Sequence, residues 1–286
     1  MMVPGLTDST TPLSVVIPVF NAPGELDRCL ESVAATTAEG TEIRIIDDAS
    51  TDPATVTVLD RWRARAPAAW QFQANRVNRG FVATVNAGMR ACEHNVVLLN
   101  SDTEVTPGWL QGLQRCLDSD PAIASATPWT NNGEIASLPE FCQANPVPQD
   151  AARLAEVIAR TGTVCYPELP TAVGFCMAIS RLAIERVGVF DEALFGKGYG
   201  EENDFSRRVV NHGMRNVLCD DVYVVHLGGR SFGPTGLKPD QSSMERLLSR
   251  HPDYLACVQA FIAADPLKSR REEILRALSL AGVPMG

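Results

Sequence analysis

The sequence predicts an α/β fold in which a mostly parallel central sheet is flanked by helices. Strand and helix signals alternate over the first 130 residues, which is the pattern of parallel strands joined by crossover helices. Short polar motifs follow four of these strands in succession, at the edge where open α/β sheets bind ligands. A chain of 286 residues is long enough for one large domain or for two merged ones.

Four strands are evident in the first half of the chain, and a helix follows each of them. The strands are LSVVIPV, TEIRIID, WQFQAN and NVVLLN, and IASATP is a candidate fifth. The second helix has an N-cap and a first-turn proline in Asp52-Pro53, and the fourth begins at Thr106-Pro107. Three helices have apolar residues at helical spacing, which predicts one buried face for each: Leu26, Cys29, Leu30 and Val33; Phe81, Val85 and Met89; and Leu110, Leu113 and Leu117.

The second half of the chain is less regular. Residues 129–170 are rich in Asn, Pro and Gly and carry one short amphipathic helix near Ala151–Arg160. The segments that follow predict a strand in TAVGFCMAIS, a helix around Arg181–Val187, a helix in GYGEENDFSRRVVNHG and a last strand in RNVLCDDVYVVHL. We therefore divide the chain into a flexible N-terminus, two halves and a helical tail, with the bounds 1–11, 12–128, 129–241 and 242–286.

Composition excludes several functions. A net charge of -9 argues against a nucleic-acid-binding surface and against a polybasic membrane patch. No apolar run approaches the roughly 20 residues of a spanning helix, and the start of the sequence lacks the pattern of a signal peptide. The eight cysteines have no CxxC spacing, which favours free thiols in a reducing compartment over disulfides or zinc. We expect a cytoplasmic protein.

Polar residues end or follow each of the first four strands. One such group is explained by turn chemistry alone, because loops after strands are polar. Four groups in succession, two of them with carboxylates, predict a ligand site at the carboxyl edge of the sheet. The four groups are Pro18-Val19-Phe20-Asn21, Asp47-Asp48, Asn78-Arg79-Gly80 and Asn100-Ser101-Asp102.

Six motifs together resemble a known family. VVIPVFN, IIDDASTD, NRGFVATVNAG and LLNSDTEVTPGWL resemble the nucleotide-binding half of the inverting GT-A glycosyltransferases of the family 2 group, and GYGEENDF and VVHLGGRSFG resemble its acceptor half. Within that group the sequence is most similar to bacterial rhamnosyltransferase-like enzymes of O-antigen and related surface polysaccharides. The likeness covers roughly residues 12–255. It implies a GT-A fold, with a Rossmann-like nucleotide-sugar-binding half (12–128) merged with a smaller acceptor-binding and catalytic half (129–241).

The resemblance implies a nucleoside-diphosphate sugar as the donor, of the UDP or dTDP type. Asp48 would recognise the uracil or thymine base, since an ionised carboxylate accepts a hydrogen bond from an imide N–H. The other residues implied at the donor site are Pro18, Val19, Phe20, Asn21, Asp47, Asn78, Arg79, Gly80, Asn100, Ser101 and Asp102, with Gly228, Gly229, Arg230 and Ser231 beside the diphosphate.

A divalent metal is implied by the same likeness. Asn100-Ser101-Asp102 matches the Asp-x-Asp metal motif of the family, with asparagine in the first position. Such a cation stabilises the charge of a departing diphosphate, and hard oxygen ligands suit Mg²⁺ or Mn²⁺. Asp102 is the implied first ligand and His226 the second, and an imidazole ligand favours Mn²⁺. Asn100 leaves one charge fewer for the metal and would contact ribose or a metal-bound water.

The catalytic residues are expected in GYGEENDF. A carboxylate within hydrogen-bond reach of the acceptor hydroxyl takes up its proton, and alignment with the family's Glu-Asp pair gives this role to Glu202. Glu201 or Asp204 would hold the acceptor or orient Arg207, although acidic residues at a helix start also interact favourably with its dipole. The residues implied at the acceptor and sugar pocket are Trp129, Asn131, Asn132, Gly174, Phe175 and Cys176.

Two other functions stay open at this point. One is a sugar-nucleotide-binding protein with weak or lost transferase activity, which the neutral Asn100 allows. The other is a nucleotidyltransferase, although VFNAPGELD lacks the basic glycine-rich loop of that class. For the transferase, the expected partners are the sugar donor and a glycan or lipid-linked glycan acceptor, with peripheral membrane association through the acceptor and no nucleic acid.

Overall fold

The computed structural model describes residues 12–196, 198–228 and 241–284. The predicted flexible N-terminus, at residues 1–11, lies outside these ranges, as do Gly229, Arg230 and Ser231. The predicted α/β fold with a mostly parallel central sheet is confirmed. Among the described residues, no helix is both long enough and apolar enough to cross a membrane.

Nine strands of the described chain form one sheet, in the order β3-β2-β1-β4-β8-β6-β9-β5, with β7 paired to β9. β1 to β4 are mutually parallel, β8 runs antiparallel between β4 and β6, and β9 is parallel to β6. The strands are β1 (Leu13–Val19), β2 (Ile43–Asp47), β3 (Trp70–Ala74), β4 (Asn95–Leu99), β5 (Thr103–Val105), β6 (Ile123–Trp129), β7 (Glu168–Leu169), β8 (Cys176–Ile179) and β9 (Arg215–His226).

Helices cover both faces of this sheet. Side chains of a strand alternate between the two faces, so Val15 and Ile17 of β1 pack under the first two helices while Val16 packs under the third. The helices are α1 (Pro23–Thr36), α2 (Pro53–Arg65), α3 (Phe81–Ala91), α4 (Trp109–Ser119), α5 (Ala151–Arg160), α6 (Arg181–Val187), α7 (Glu192–Phe195), α8 (Glu201–Asn211), α9 (Gln241–Arg250), α10 (Tyr254–Ala264) and α11 (Lys268–Leu280).

Local sequence explains where several elements begin and end. Asp52 caps α2 by accepting a hydrogen bond from the backbone N–H of Ala54, as its spacing predicts. The strand expected across TAVGFCMAIS is shorter than predicted and begins only at Cys176. The backbone N–H groups of Ala172 and Val173 donate instead to the hydroxyls of Ser206 and Thr127, so they are unavailable to a strand ladder.

The helical tail is tied to the rest of the molecule by buried ion pairs. His251, just after α9, and Arg250 both contact the fully buried carboxylate of Asp204 in α8. Arg270 of α11 contacts the buried carboxylate of Asp220 in β9 at 2.8 Å. Detaching the tail would leave these buried carboxylates charged and without a partner, which is energetically costly. The tail is therefore part of the folded unit.

Two helical glycines make a matched test of this packing. A Cβ added to Gly88 in α3 would lie 2.4 Å from Cγ1 of Val16, whereas one added to Gly24 in α1 meets nothing within 4 Å. We expect Gly88→Ala to lower the free energy of unfolding by about 1–3 kcal/mol through overpacking. Gly24→Ala should raise it slightly, by up to about 1 kcal/mol, through helix propensity. Urea unfolding of both variants measures this, and equal effects would contradict the described packing of α3.

Candidate active site

A cavity of about 240 Å³ opens at the carboxyl edge of the sheet. It combines residues from both halves of the chain: the end of β4, the turn before β8, the start of α8 and the end of β9. These elements meet because β4 and β9 run in the same direction while β8 enters from the edge where they end. The cavity is lined by Phe81, Leu98, Asn100, Asp102, Val173, Gly174, Phe175, Met177, Phe190, Tyr199, Glu201, Glu202 and His226.

The short strand β5 brings Asp102 beside His226. Thr103 of β5 is paired with His226, and the backbone N–H of Leu227 donates to the carbonyl of Asp102 at 2.9 Å. As a result Oδ1 of Asp102 lies 3.6 Å from Nε2 of His226, and both side chains are largely buried. The two residues that the family resemblance implies as metal ligands therefore face each other in one cavity.

The hydrogen bonds around this pair leave a lone pair on each facing atom. Nδ1 of His226 lies 2.5 Å from the carbonyl oxygen of Asn132, and since a carbonyl only accepts, Nδ1 is the donor. In the neutral ring Nε2 then carries a lone pair. Oδ1 of Asp102 is buried without a hydrogen-bond partner among the described residues. The two atoms lie 3.6 Å apart, which is too far for a hydrogen bond between them. Both lone pairs are therefore available to bind a cation.

A divalent cation fits these residues. One carboxylate oxygen and one imidazole nitrogen are suitable ligands for Mn²⁺, and they leave most of its coordination open to other ligands. Within the ranges that the structure describes, no group of three or more His, Cys, Asp or Glu is placed to hold a metal by itself. An ion held here would take its remaining ligands from outside this pair.

Glu201 and Glu202 lie in the same cavity, at the first turn of α8. Burial raises the pKa of Glu202 to about 7, and the charge of Glu134 adds to the increase. Burial, together with the nearby charge of Glu202, raises the pKa of Glu201 well above its usual range. Each carboxylate has one oxygen without a hydrogen-bond partner among the described residues. A carboxylate that titrates near neutral pH is suited to act as a general base.

Asp204 does not line the cavity. Its fully buried carboxylate accepts hydrogen bonds from Nε of Arg208 at 2.7 Å, from Nη1 of Arg250 at 3.1 Å and from Nε2 of His251 at 2.9 Å. Arg207, which Asp204 was expected to orient, forms an ion pair with Asp253 instead. The structure gives Asp204 the role of anchoring the helical tail to α8.

The polar residues that follow β1, β2 and β3 connect these three loops. The carboxylate of Asp48 accepts from Nδ2 of Asn75 at 2.7 Å and from the backbone N–H groups of Arg79 and Gly80, each at 2.8 Å. Among the described residues, Oδ2 accepts only from Gly80 and so retains accepting capacity, and base recognition by Asp48 stays a prediction. The side-chain oxygen of Asn21 accepts from the backbone N–H groups of Thr51 and Asp52, both at 2.9 Å.

The other donor-site residues of the sequence prediction have mixed positions. Asp47 accepts from the backbone N–H and hydroxyl of Ser50, and Nδ2 of Asn78 donates to the backbone carbonyl of Asp48. Val19 and Ser101 are buried. Pro18 and Phe20 are partly exposed.

The residues implied at the acceptor pocket are also divided. Gly174 and Phe175 line the cavity, and the Phe175 ring stacks on the His226 ring with 5.2 Å between centroids. Cys176 is buried in β8 and outside the lining, and all eight cysteines are unpaired thiols. Trp129 is fully buried, with its indole N–H donating to the carbonyl of Asp220, so it presents no face to a sugar. Asn131 and Asn132 contact His226.

Several lining residues were not predicted from the sequence. Phe81, Leu98, Met177 and Phe190 contribute apolar side chains to the lining. Their spacing matches ordinary core positions, so periodicity gives no signal that distinguishes them. Tyr199 does carry a signal, because it lies in the GYGEENDF motif itself, and its backbone φ is 74°. Non-glycine residues in this left-handed region are uncommon and often lie at functional sites.

Comparisons with known proteins show which family this fold belongs to. The family model described as Glycosyl transferase family 2 matches residues 14–188, which is more than half of the chain. The chain therefore belongs to glycosyl transferase family 2.

Individual relatives are more distant. Validoxylamine A glucosyltransferase of Streptomyces hygroscopicus subsp. jinggangensis is 26% identical, in an alignment that covers 88% of this chain and 64% of that protein. The chain thus spans less than two thirds of this relative's length. GalNAc-T7 with UDP, GalNAc and Mn²⁺ has a TM-score of 0.65 at 18% identity, over 97% of this chain and 59% of the other. The Pyrobaculum calidifontis mannosyltransferase PcManGT with GDP-Man and Mn²⁺ has a TM-score of 0.57 at 15% identity, over 96% and 76%.

Ionisation of the half-buried Glu202 should lower the stability of the protein at high pH. Its pKa of about 7 lies above the ordinary 4.5, so the folded state holds a proton that the unfolded state has lost. The associated stability is fully present below pH 4.5 and is lost as the pH rises through about 7. We expect Glu202→Gln to raise the free energy of unfolding at pH 8 by about 1–3 kcal/mol, less than a fully dry site would give. Urea unfolding at pH 8 and pH 5 measures this, and an advantage that does not shrink toward pH 5 would contradict it.

Proposed function

We propose that this chain is an inverting glycosyltransferase that moves a sugar from a nucleoside-diphosphate sugar to a hydroxyl group of a glycan or lipid-linked acceptor. One observation carries the proposal. Oδ1 of Asp102 and Nε2 of His226 face each other at 3.6 Å. They share a cavity with the half-buried Glu202, whose Oε2 is shielded from solvent and has no hydrogen-bond partner among the described residues. The first pair suits a metal-bound diphosphate, and Glu202 suits an acceptor hydroxyl.

Asp102 and His226 would hold the divalent ion, either Mn²⁺ or Mg²⁺. When bound, the ion supplies positive charge that stabilises the departing nucleoside diphosphate. The neutral Asn100 lines the cavity next to this position, and its amide can contact ribose or a metal-bound water without adding charge. The structures of GalNAc-T7 and PcManGT, which share this fold, are both described with Mn²⁺, which supports the choice of metal.

Glu202 would act as the general base. Its carboxylate accepts the proton of the acceptor hydroxyl as that oxygen attacks the anomeric carbon. The bond between this carbon and the diphosphate oxygen breaks with its electron pair going to the diphosphate. One displacement of this kind inverts the anomeric configuration. Glu201, in the same wall, would hold the acceptor beside the base.

The donor and the biological setting are finer parts of the proposal. The donor is of the UDP or dTDP type, with Asp48 recognising the base and a hexosyl or rhamnosyl group being transferred. The acceptor belongs to bacterial surface polysaccharide synthesis, and the reaction takes place in the cytoplasm, with peripheral membrane association through the acceptor. The resemblance of the sequence motifs and the acidic composition support these assignments.

Replacement of the base gives the test. We first identify the donor by thermal shift with UDP-, dTDP- and GDP-sugars, with and without Mn²⁺. For that donor we expect kcat/KM to fall below pH 7, because protonated Glu202 cannot accept the hydroxyl proton. Glu202→Gln should lower transfer by about 10²–10⁴-fold and abolish this acidic limb. Transfer rates measured from pH 5.5 to 9 report both effects.

Outcomes that contradict the proposal are distinct. Glu202→Gln with wild-type transfer and the same acidic limb would exclude Glu202 as the base. Donor binding without transfer or hydrolysis, across acceptors and metals, would favour the sugar-nucleotide-binding alternative. Asp204→Asn is a poor control because it disturbs the buried ion pairs to the tail. Glu185→Gln, on the exposed surface of α6 and outside the cavity lining, is a better one.

A further inference from the structure

The side chain of Asn131 makes two hydrogen bonds to the backbone of His226. Its Oδ1 accepts from the His226 N–H at 2.9 Å, and its Nδ2 donates to the His226 carbonyl at 3.0 Å. Asn131 is buried, two residues beyond the end of β6. A primary amide has the same donor and acceptor as a peptide group, so this side chain bonds to His226 as a neighbouring strand would.

Asn131 replaces a strand in this way at the point where the pairing of β6 with β9 ends. The pairing of β6 with β9 shifts in register after Pro128 and ends with Trp129 opposite Tyr223. On the side of β9 that faces β6, His226 therefore lacks a backbone partner from β6. On the other side it is paired with Thr103 of β5. The Asn131 amide completes the bonding of the last residue of β9, and it fixes the backbone from which the imidazole projects.

Asn131 is itself held in place by hydrogen bonds to Asn145. Its backbone carbonyl accepts from the N–H of Asn145 at 2.8 Å and from Nδ2 of the same residue at 3.1 Å. Its own Nδ2 also lies 3.3 Å from the Asn145 carbonyl. The next residue, Asn132, contributes differently, because only its backbone carbonyl contacts Nδ1 of His226. The side chain of Asn131 thus fixes the backbone of His226, and the backbone carbonyl of Asn132 fixes its ring.

We infer that Asn131 is a positioning residue for the metal-binding histidine, and not a contact for the acceptor as the family resemblance implied. The inference rests on the proposed function, specifically on His226 as a metal ligand. Groups that orient a metal ligand typically change metal affinity by about 10–100-fold when they are removed. Loss of the Asn131 amide leaves the His226 N–H and carbonyl without their side-chain partner, so the ring loses its fixed position opposite Asp102.

The test compares two neighbouring asparagines. Binding of Mn²⁺ is measured by the electron paramagnetic resonance signal of the free ion, in the presence of whichever of UDP, dTDP or GDP gives the largest thermal shift. We expect Asn131→Ala to raise the Mn²⁺ concentration at half-saturation by about 10–100-fold, and Asn132→Ala to change it by less than about threefold. At saturating Mn²⁺, Asn131→Ala should recover most of the wild-type kcat, with little change in KM for the acceptor.

Each other outcome counts against the inference. Wild-type Mn²⁺ binding in Asn131→Ala, with a raised acceptor KM, would overturn it and restore the acceptor contact. Equal weakening by both variants would overturn it as well. If the wild-type protein itself binds no Mn²⁺ with the nucleotide, the proposed metal fails first, and this is seen before any variant is made. Should Asn131→Ala fail to fold, Asn131→Ser removes the paired amide with a smaller loss of polarity and faces the same criteria.

Discussion

The pairing of β5 with the end of β9 is the interaction on which the site depends. β5 has only three residues, yet it turns the chain after β4 so that Asp102 reaches His226. The carbonyl of Asp102 and the N–H of Leu227 extend this pairing by one more bond. Because the two side chains belong to opposite halves of the chain, neither half alone contains the facing oxygen and nitrogen.

The site combines groups that would be unfavourable in an ordinary core. Asp102, Glu201 and Glu202 place three carboxyl groups in the lining of one cavity, which also contains several apolar side chains. Burial of a carboxylate favours its protonated form, and here it outweighs the backbone hydrogen bonds to Glu201 and Glu202, which explains the raised pKa of both. Asp204 differs because three cationic or N–H groups surround it. The first turn of α8 therefore contains two carboxylates with raised pKa values and one carboxylate that anchors the tail.

Much of this architecture could be predicted from the sequence. Periodicity identified the first four strands and the buried faces of their helices, and the motifs placed Asp102, Glu202 and His226 in one site. The position of Asp204 outside the cavity could not be predicted, because it depends on contacts with Arg250 and His251, which are distant in sequence. The role of Asn131 was hidden for a similar reason. An asparagine after a strand suits a sugar contact or a turn equally well, and only the interrupted pairing of β6 with β9 distinguishes a third use.

The position of the metal tests the central claim most directly. Crystals grown with Mn²⁺ and the bound nucleoside diphosphate, measured at the manganese absorption edge, give an anomalous difference map that locates the ion. The account predicts one peak within bonding distance of an Asp102 carboxylate oxygen, of Nε2 of His226 and of the diphosphate. A peak bound elsewhere, or an occupied nucleotide site in which Nε2 of His226 donates a hydrogen bond to Asp102, would contradict it.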